Sequence, residues 1–159
     1  MQFIDAKKRD LVKRLSNLNV SNVRFDGQTI SLNYDGHVLH NRVRALTCEP
    51  WVGHWNRQHN IVYYDDDMGR NLRQVQSLAV HETIEKYVCQ RYGLNSDAEG
   101  HYVAEMVERK YARKLGIDLR DYEWRTEFVH RKEWQANQRR MQKTIRDLKS
   151  TLRTMGKSY

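Results

Sequence analysis

The run His81-Glu82-Thr83-Ile84-Glu85 combines side chains that can bind a metal ion with one that can move a proton. An α-helix turns about 100° per residue, so His81 and Glu85 would project about 40° apart on one face, close enough to bind one ion. Glu82 would lie about 100° round the helix, where it could reach a water on the ion rather than the ion itself. The apolar residues that share the face of His81, and indicate that it points inward, are Leu78, Ile84 and Val88.

A second set of candidate ligands follows twenty residues later. At the same angular step, Glu105 and Glu108 lie about 40° and 20° from His101 on a second helix. A three-residue turn, residues 93–95, would join the two helices and bring both faces together. Burying unpaired carboxylates costs several kcal/mol each, and a divalent cation would neutralise them. The pattern therefore predicts a metal site between the helices, with a buried His–Glu salt-bridge network without metal as the alternative.

Two histidines with one or two carboxylates make the ligand set of a catalytic zinc site, which keeps one position for water. His81 and His101 would be joined by one or two of three carboxylates, and the spacing does not decide between Glu85, Glu105 and Glu108. Mixed histidine and carboxylate sites also suit manganese and iron, so the metal stays open. In a hydrolytic site zinc would polarise a carbonyl group and acidify its water, and Glu82 would accept the proton.

The elements before this site can be predicted from periodicity. Residues 4–18 carry apolar side chains at helical spacing, which predicts an amphipathic helix. Residues 23–47 alternate apolar and polar side chains around two Asp-Gly turns, which predicts three strands. The segment 47–60 reads as a loop, and residues 61–64 predict a further short strand. The acids that follow it, at 65–67, suit a helix N-cap.

Three helices are expected in the rest of the chain. Residues 69–92 have a helical pattern that Gly93 would end. The run Ser96-Asp97-Ala98-Glu99 is a capping box that would start the next helix, which runs to Leu115. Asp118 can cap a last helix that reaches into the mid-150s. A helix, a small antiparallel sheet and three helices in this order predict an α+β fold.

Other side chains are assigned mainly to packing. His54 and His59, in the loop with Trp51 and Trp55, could reach the site, although Trp and His in a loop more often pack or face solvent. Tyr63 and Tyr64 alternate, so one faces the core and the other is a candidate oxyanion partner. Cys89 is interpreted as a small buried apolar residue rather than a ligand.

Length and composition restrict the class of protein. A chain of 159 residues makes one domain or one domain with an appendage, and we divide it into a metal-binding part, 1–122, and a basic helical extension, 123–159. No apolar run approaches the roughly 18–20 residues that span a membrane, and the N-terminus has charges where a signal peptide is apolar. Two distant cysteines, Cys48 and Cys89, form no disulfide framework. These features predict a reducing, cytoplasmic setting without membrane contact.

The basic character is concentrated in the last helix. Residues 124–159 contain ten Lys or Arg and three acids, which gives +7 and leaves +1 of the total +8 for residues 1–123. A four-three spacing predicts a short coiled-coil seam of about three heptads, formed by Met141, Ile145, Leu148, Leu152 and Met155. Trp134 lies one heptad before Met141, and Gln138 and Arg131 break the seam. The seam could dock on the rest of the chain, or pair with a second copy or another protein. The basic residues are either a solvated face or a nonspecific nucleic-acid contact, although no recognised nucleic-acid-binding motif is present.

The region 61–122 resembles two groups of proteins. A short strand, an acidic turn and the helix with Val80-His81-Glu82 look like the active-site region of small zincins, in which a strand along the cleft precedes an HExxH helix. The resemblance is closer to small uncharacterised proteins encoded by phages and prophages, with a VHExxE helix, a Gly-Leu turn and a second His and Glu. The corresponding residues here are Val80 to Glu85, Gly93-Leu94, Gly100-His101, Glu108, Gly116-Ile117-Asp118 and Tyr122.

The zincin likeness implies a zinc site, Glu82 as general base, and an edge strand that could align a peptide by strand addition. We take the ligand set to be His81, Glu85, His101 and Glu108. Glu85 replaces the second His of HExxH, which makes the site more anionic and lowers the Lewis acidity of a zinc ion.

Two functions follow. One is a phage-encoded, zincin-like hydrolase that cuts peptides or proteins. The other is a non-catalytic phage virion or assembly protein, in the host cytoplasm or the virion, that keeps a structural His/Glu site. In this second function the basic helix binds a partner, another copy or DNA.

Overall fold

The computed structural model describes residues 5–47 and 52–156, and it confirms the α+β class. The elements are α1 (Ala6–Asn17), β1 (Ser21–Phe25), β2 (Thr29–Tyr34), β3 (His37–Leu46), β4 (Gly53–Trp55), β5 (Ile61–Asp65), a 3-10 turn (Asp66–Met68), α2 (Leu72–Tyr92), α3 (Glu99–Lys114) and α4 (Leu119–Thr154). Three residues used in the sequence analysis lie outside the described residues, namely Ile4, Cys48 and Trp51. No described helix is long and apolar enough to cross a membrane.

The five strands form one sheet in the order β1-β2-β3-β5-β4. Strands β1 to β3 are antiparallel neighbours as predicted, but β3 and β5 run parallel, so the sheet is mixed. Strand β4 lies in the segment 47–60, which was predicted to be a loop, and it pairs antiparallel with β5. The strand was not predicted because its three residues are too few to show an alternating apolar and polar pattern. Because β4 covers β5, the edge strand beside the helices is β4 and not the predicted strand 61–64.

Helix α2 is the centre of the fold. It contacts strands β2 to β5 on one side and α3 on another, and fourteen of its residues are buried. A helix surrounded in this way shows little amphipathic patterning. Its N-cap is Asn71, whose side chain accepts from the N–H of Gln74, whereas Asp65 caps only the 3-10 turn. Gly93 ends α2 in the left-handed conformation, as predicted, with φ 66°.

Helix α3 packs antiparallel on α2. Side-chain contacts join Gln76 to Tyr111 and His81 to Glu108, so positions rise along one helix as they fall along the other. The predicted capping box is wrong, because α3 begins at Glu99 and its N-cap has no side-chain hydrogen bond. The Glu99 carboxylate instead accepts from the N–H of Asn95, which organises the turn before the helix.

Helix α4 begins at the predicted cap, where the Asp118 carboxylate accepts from the N–H groups of Arg120 and Asp121. Its first turns pack on the body, and Tyr122 and Val129 are buried. The predicted domain boundary after residue 122 therefore falls inside a continuous helix. From residue 138 onward the described side chains are exposed, except for the half-buried Leu152. The predicted seam does not dock on the described part of the body.

Candidate metal centre

Three side chains from α2 and α3 converge on one point. The atoms His81 Nε2, Glu85 Oε2 and His101 Nδ1 form a triangle with sides of 3.2, 3.2 and 3.3 Å. Tetrahedral zinc sites with bonds of about 2.0–2.2 Å hold neighbouring donor atoms about 3.3–3.6 Å apart. The spacing and the N2O donor set therefore fit a zinc-sized divalent ion. These are three of the four predicted ligands.

The helix pair explains this convergence. His81 and Glu85 lie one turn apart on α2, and the antiparallel packing places the start of α3 opposite them. Gly100 permits the close approach, because a Cβ atom there would stand 2.4 Å from the Sγ of Cys89. Cys89 is buried as predicted, and burial raises the pKa of its thiol to about 12. The next residue, His101, is 55% exposed at its side chain, so it forms the mouth of the site rather than pointing inward as expected.

Glu108 orients His81 instead of joining the triangle. Its Oε2 lies 2.8 Å from Nδ1 of His81, while its Oε1 accepts hydrogen bonds from the hydroxyls of Ser77 and Tyr122. In the neutral imidazole, a carboxylate on Nδ1 favours the tautomer with its proton there, which leaves the lone pair of Nε2 to bind an ion. The helical wheel placed Glu108 on the correct face but could not tell which imidazole nitrogen it would meet. Ser77 and Tyr122 were not identified from the sequence as partners of this group.

Trp55 is a further residue of the site that the sequence analysis assigned to packing. Its indole N–H donates to Oε1 of Glu85 at 3.1 Å, which leaves Oε2 facing the two histidines. The contact spans thirty residues, and only the pairing of β4 with β5 brings Trp55 over α2. No local pattern in the sequence indicates this contact.

Glu82 stands beside the triangle with no hydrogen-bond or ion-pair partner among the described residues. It is 5% exposed and faces the cleft described below. Its Oε1 lies against Gly53, where a Cβ atom would stand 2.7 Å away, so only glycine gives the carboxyl this room. Burial raises the pKa of Glu82 to about 8; His81 opposes the rise, and the charges of Glu85 and Glu108 add to it. An unpartnered carboxyl with such a pKa gains and loses its proton close to neutral pH.

The two buried ligands are shifted in opposite directions. Burial favours the neutral form of Glu85, but hydrogen bonds from His101 and His81 lower its pKa to about 2. Burial also disfavours the charge on His81, yet the carboxylates of Glu108 and Glu85 raise its pKa well above 6.5. Without a metal, the site is therefore a charged imidazolium between carboxylates. A metal would have to displace the proton on Nε2, so binding should release a proton.

The remaining candidates lie outside the triangle. The side chain of Glu105 is 41% exposed and pairs with Arg109 at 3.1 Å. His54 stacks on Tyr63 with ring centroids 4.6 Å apart and lines the cleft, whereas His59 is exposed. One of Tyr63 and Tyr64 was predicted to face the core, and the structure shows that it is Tyr64.

A cleft of about 730 Å³ opens over the site, bounded by β4, α2, α3 and the first turns of α4. Among the described residues β4 pairs only with β5, and its other edge is open here. The carbonyl of Val52 accepts from Asp65 and the N–H of Asn56 donates to Ile61, so alternate main-chain groups in this stretch face β5. By this alternation the main-chain groups of Gly53 and Trp55 face away from β5, where an extended peptide could pair with them.

The comparisons with known proteins provide no relative on which to base a function. No family model matches the sequence, and neither the curated proteins nor the solved structures give a match. The likeness to zincins and to phage-encoded proteins stays a prediction from the motif.

Proposed function

We propose that the protein is a zincin-like, metal-dependent hydrolase that acts on peptides. One observation carries the proposal: a buried carboxyl without a partner, Glu82, stands beside three converging donor atoms under an open cleft. A salt-bridge network that serves only stability has no use for an unpartnered buried carboxyl, because such a group costs free energy in the folded state. Hydrolysis does require a proton acceptor at this place.

The roles of the ligands follow from the contacts. His81, Glu85 and His101 would hold the ion, while Glu108 and Trp55 would fix the orientation of His81 and Glu85. Glu108 is therefore proposed as an orienting residue rather than the predicted fourth ligand. Zinc, manganese and iron would all accept these donors, and we place zinc first because the donor spacing fits its tetrahedral geometry. When bound, such an ion supplies Lewis acidity, which polarises a carbonyl group and makes water easier to deprotonate.

The chain itself would position the substrate and move the proton. An extended peptide that pairs with the free edge of β4 would run along the cleft past the triangle. The Glu82 carboxyl lies against Gly53 of that strand, so its carboxylate could accept a proton from a water molecule and pass it to the leaving amine. The low pKa of Glu85 keeps it ionised as a ligand, whereas the higher pKa of Glu82 suits a group that changes protonation state.

A second candidate function is favoured by the exposed part of α4. A helix that leaves the body and carries exposed basic side chains is suited to binding another molecule. In this alternative the protein is a non-catalytic phage virion or assembly component, and its His/Glu network serves stability with or without metal. The two candidates differ in their need for Glu82.

The test is Glu82→Gln in protein loaded with zinc, assayed on casein and on a set of short fluorogenic peptides. We expect one metal ion per chain to remain and the hydrolysis rate to fall at least about 100-fold, in the range found for loss of a general base. Glu105→Gln is the matched control, because this residue also lines the cleft but pairs with Arg109, and its activity should be retained. Unchanged hydrolysis in Glu82→Gln would remove Glu82 from the mechanism. No hydrolysis by the wild type would favour the second candidate.

A further inference from the structure

Two aromatic rings are stacked on the outside of α4. Trp124 and Phe128 are 64% and 54% exposed, and their ring centroids lie 5.5 Å apart with the planes 14° from parallel. They are one helical turn apart, and the neighbouring side chains that pack on the body, Tyr122 and Val129, point elsewhere. A flat pair of exposed rings offers a face on which another ring can stack.

Basic side chains continue the same face towards the end of the helix. At 100° per residue, five of them lie within about 60° of the direction of Phe128; they are Arg139, Lys143, Arg146, Lys149 and Arg153. All five are exposed, and none forms an ion pair with a described acidic side chain. The acidic residue Asp147 lies about 100° away from this direction. We call the surface from Trp124 to Arg153 the basic face, and it is about 44 Å long at 1.5 Å per residue.

The basic face is distinct from the predicted coiled-coil seam. By the same arithmetic, Met141, Ile145 and Leu148 lie about 100° to 160° from Phe128. A second copy could therefore pair along the seam while the basic face stays open. The aromatic pair belongs to the basic face and not to the seam, whereas a helix lying on a membrane places its aromatic residues on the apolar face.

We infer that the basic face of α4 binds single-stranded nucleic acid. The row of cations would contact successive phosphates, and an unpaired base would stack on the rings of Trp124 and Phe128. The bases of a duplex are stacked on one another, so a duplex would contact the basic side chains but not the two rings. This inference is independent of the proposed hydrolase activity, because no residue of the basic face lies in the metal centre.

The first experiment measures fluorescence anisotropy of labelled twenty-nucleotide oligo-dT, oligo-rU and a twenty-base-pair DNA duplex with the full chain. We expect the single strands to bind more tightly than the duplex, and the two single strands to show whether the sugar matters. With about five phosphates contacted, affinity for a single strand should fall about 100-fold between 50 and 200 mM salt. No binding of any oligonucleotide at 50 mM salt would overturn the inference.

Matched variants separate stacking from charge. Trp124→Ala with Phe128→Ala should weaken single-strand binding about 10-fold or more and leave duplex binding unchanged. The triple change Arg139→Gln, Arg146→Gln and Arg153→Gln should weaken binding of all three ligands and reduce the salt exponent by about 2. The control removes three exposed charges from α1, at Lys7, Arg9 and Lys13, and should leave the salt exponent unchanged. Far-UV circular dichroism checks that each variant folds.

Three results would contradict the inference. Equal weakening by the α1 and α4 triple variants would show that only the net charge matters. Tight duplex binding that is indifferent to loss of Trp124 and Phe128 would exclude base stacking. Binding to vesicles of phosphatidylcholine and phosphatidylserine without binding to oligonucleotides would assign the face to a membrane surface instead.

Discussion

The helix pair α2–α3 and the distal part of α4 hold charged side chains in opposite ways. In the pair, His81, Glu85 and Glu108 are buried, few in number, of both signs and in contact with one another. Beyond residue 138, α4 carries exposed charges that are mostly of one sign. Buried ions need partners at fixed positions, whereas exposed ions are stabilised by water. The first arrangement therefore ties stability to geometry, and the second leaves charges available for another molecule.

The largest effect should come from breaking the buried network. His81→Ala would leave Glu85 and Glu108 buried without their shared cation, which typically costs about 3–5 kcal/mol of unfolding free energy. Urea unfolding without added metal measures this loss. The matched control is His59→Ala, at an exposed loop position, which should change stability by less than about 0.5 kcal/mol. Equal midpoints for the two variants would mean that the network contributes no stability.

The second largest effect should be a difference in lost stability between the same substitution made in the core and on α4. Leu32 is fully buried and Leu148 is 57% exposed. We expect Leu32→Ala to cost about 2–5 kcal/mol and Leu148→Ala less than about 0.5 kcal/mol in thermal or urea unfolding of dilute protein. A loss above about 1 kcal/mol for Leu148→Ala would contradict the exposure of the helix, and a concentration-dependent loss would show pairing along the seam.

The orienting contacts of the metal centre should have a smaller effect, on affinity. Tyr122→Phe removes the hydroxyl that donates to Glu108, so His81 is held less firmly, and zinc should bind about 10-fold more weakly. Competition with a chelating dye measures the affinity. Tyr111→Phe is the control, since its hydroxyl contacts Gln76 outside the site and its loss should leave zinc affinity unchanged. Equal affinities in the wild type and Tyr122→Phe would exclude an orienting role.

The smallest expected effect is on the pH dependence of stability without metal. The folded chain keeps a proton on Glu82 up to a pKa of about 8, whereas the unfolded chain loses it near 4.5. Stability must therefore fall as the pH rises from about 4.5 to 8. His81, whose pKa is raised, acts in the same direction above 6.5, while Glu85 contributes stability that is lost as the pH falls from 4.5 towards 2.

Glu82→Gln should flatten this decline. Relative to the wild type, we expect the variant to gain about 1 kcal/mol or more between pH 5.5 and 8. Urea unfolding in chelator at several pH values gives the comparison, with Glu105→Gln as the exposed control. Parallel curves for the wild type and Glu82→Gln would show that the Glu82 carboxyl is not shifted by burial.

Local signals predicted much of the fold and part of the site. Asp118 and Gly93 act within one helical turn, so cap residues alone place the start of α4 and the end of α2. The spacing of His81 and Glu85 fixes their common face without any tertiary information. The packing of that face against His101 followed from the short turn between two helical patterns.

What the sequence did not reveal depends on contacts between distant residues. Strand β4 exists through its pairing with β5, and Trp55 reaches Glu85 only because of that pairing. A helical wheel shows the direction in which a side chain projects but not how deeply it is buried or what it contacts. It therefore could not show that Glu108 contacts Nδ1 of His81 whereas Glu105 pairs with Arg109. The spacing of the seam residues likewise does not show whether the rest of the chain packs on the seam.

We propose that His81, Glu85 and His101 hold one divalent ion. Metal analysis by mass spectrometry, combined with thermal unfolding before and after chelator, is the test. We expect about one transition-metal ion per chain, zinc first, and a lower unfolding temperature in chelator that added zinc restores; His81→Ala should not show this difference. No stoichiometric transition metal, together with no loss of stability in chelator, would contradict the claim.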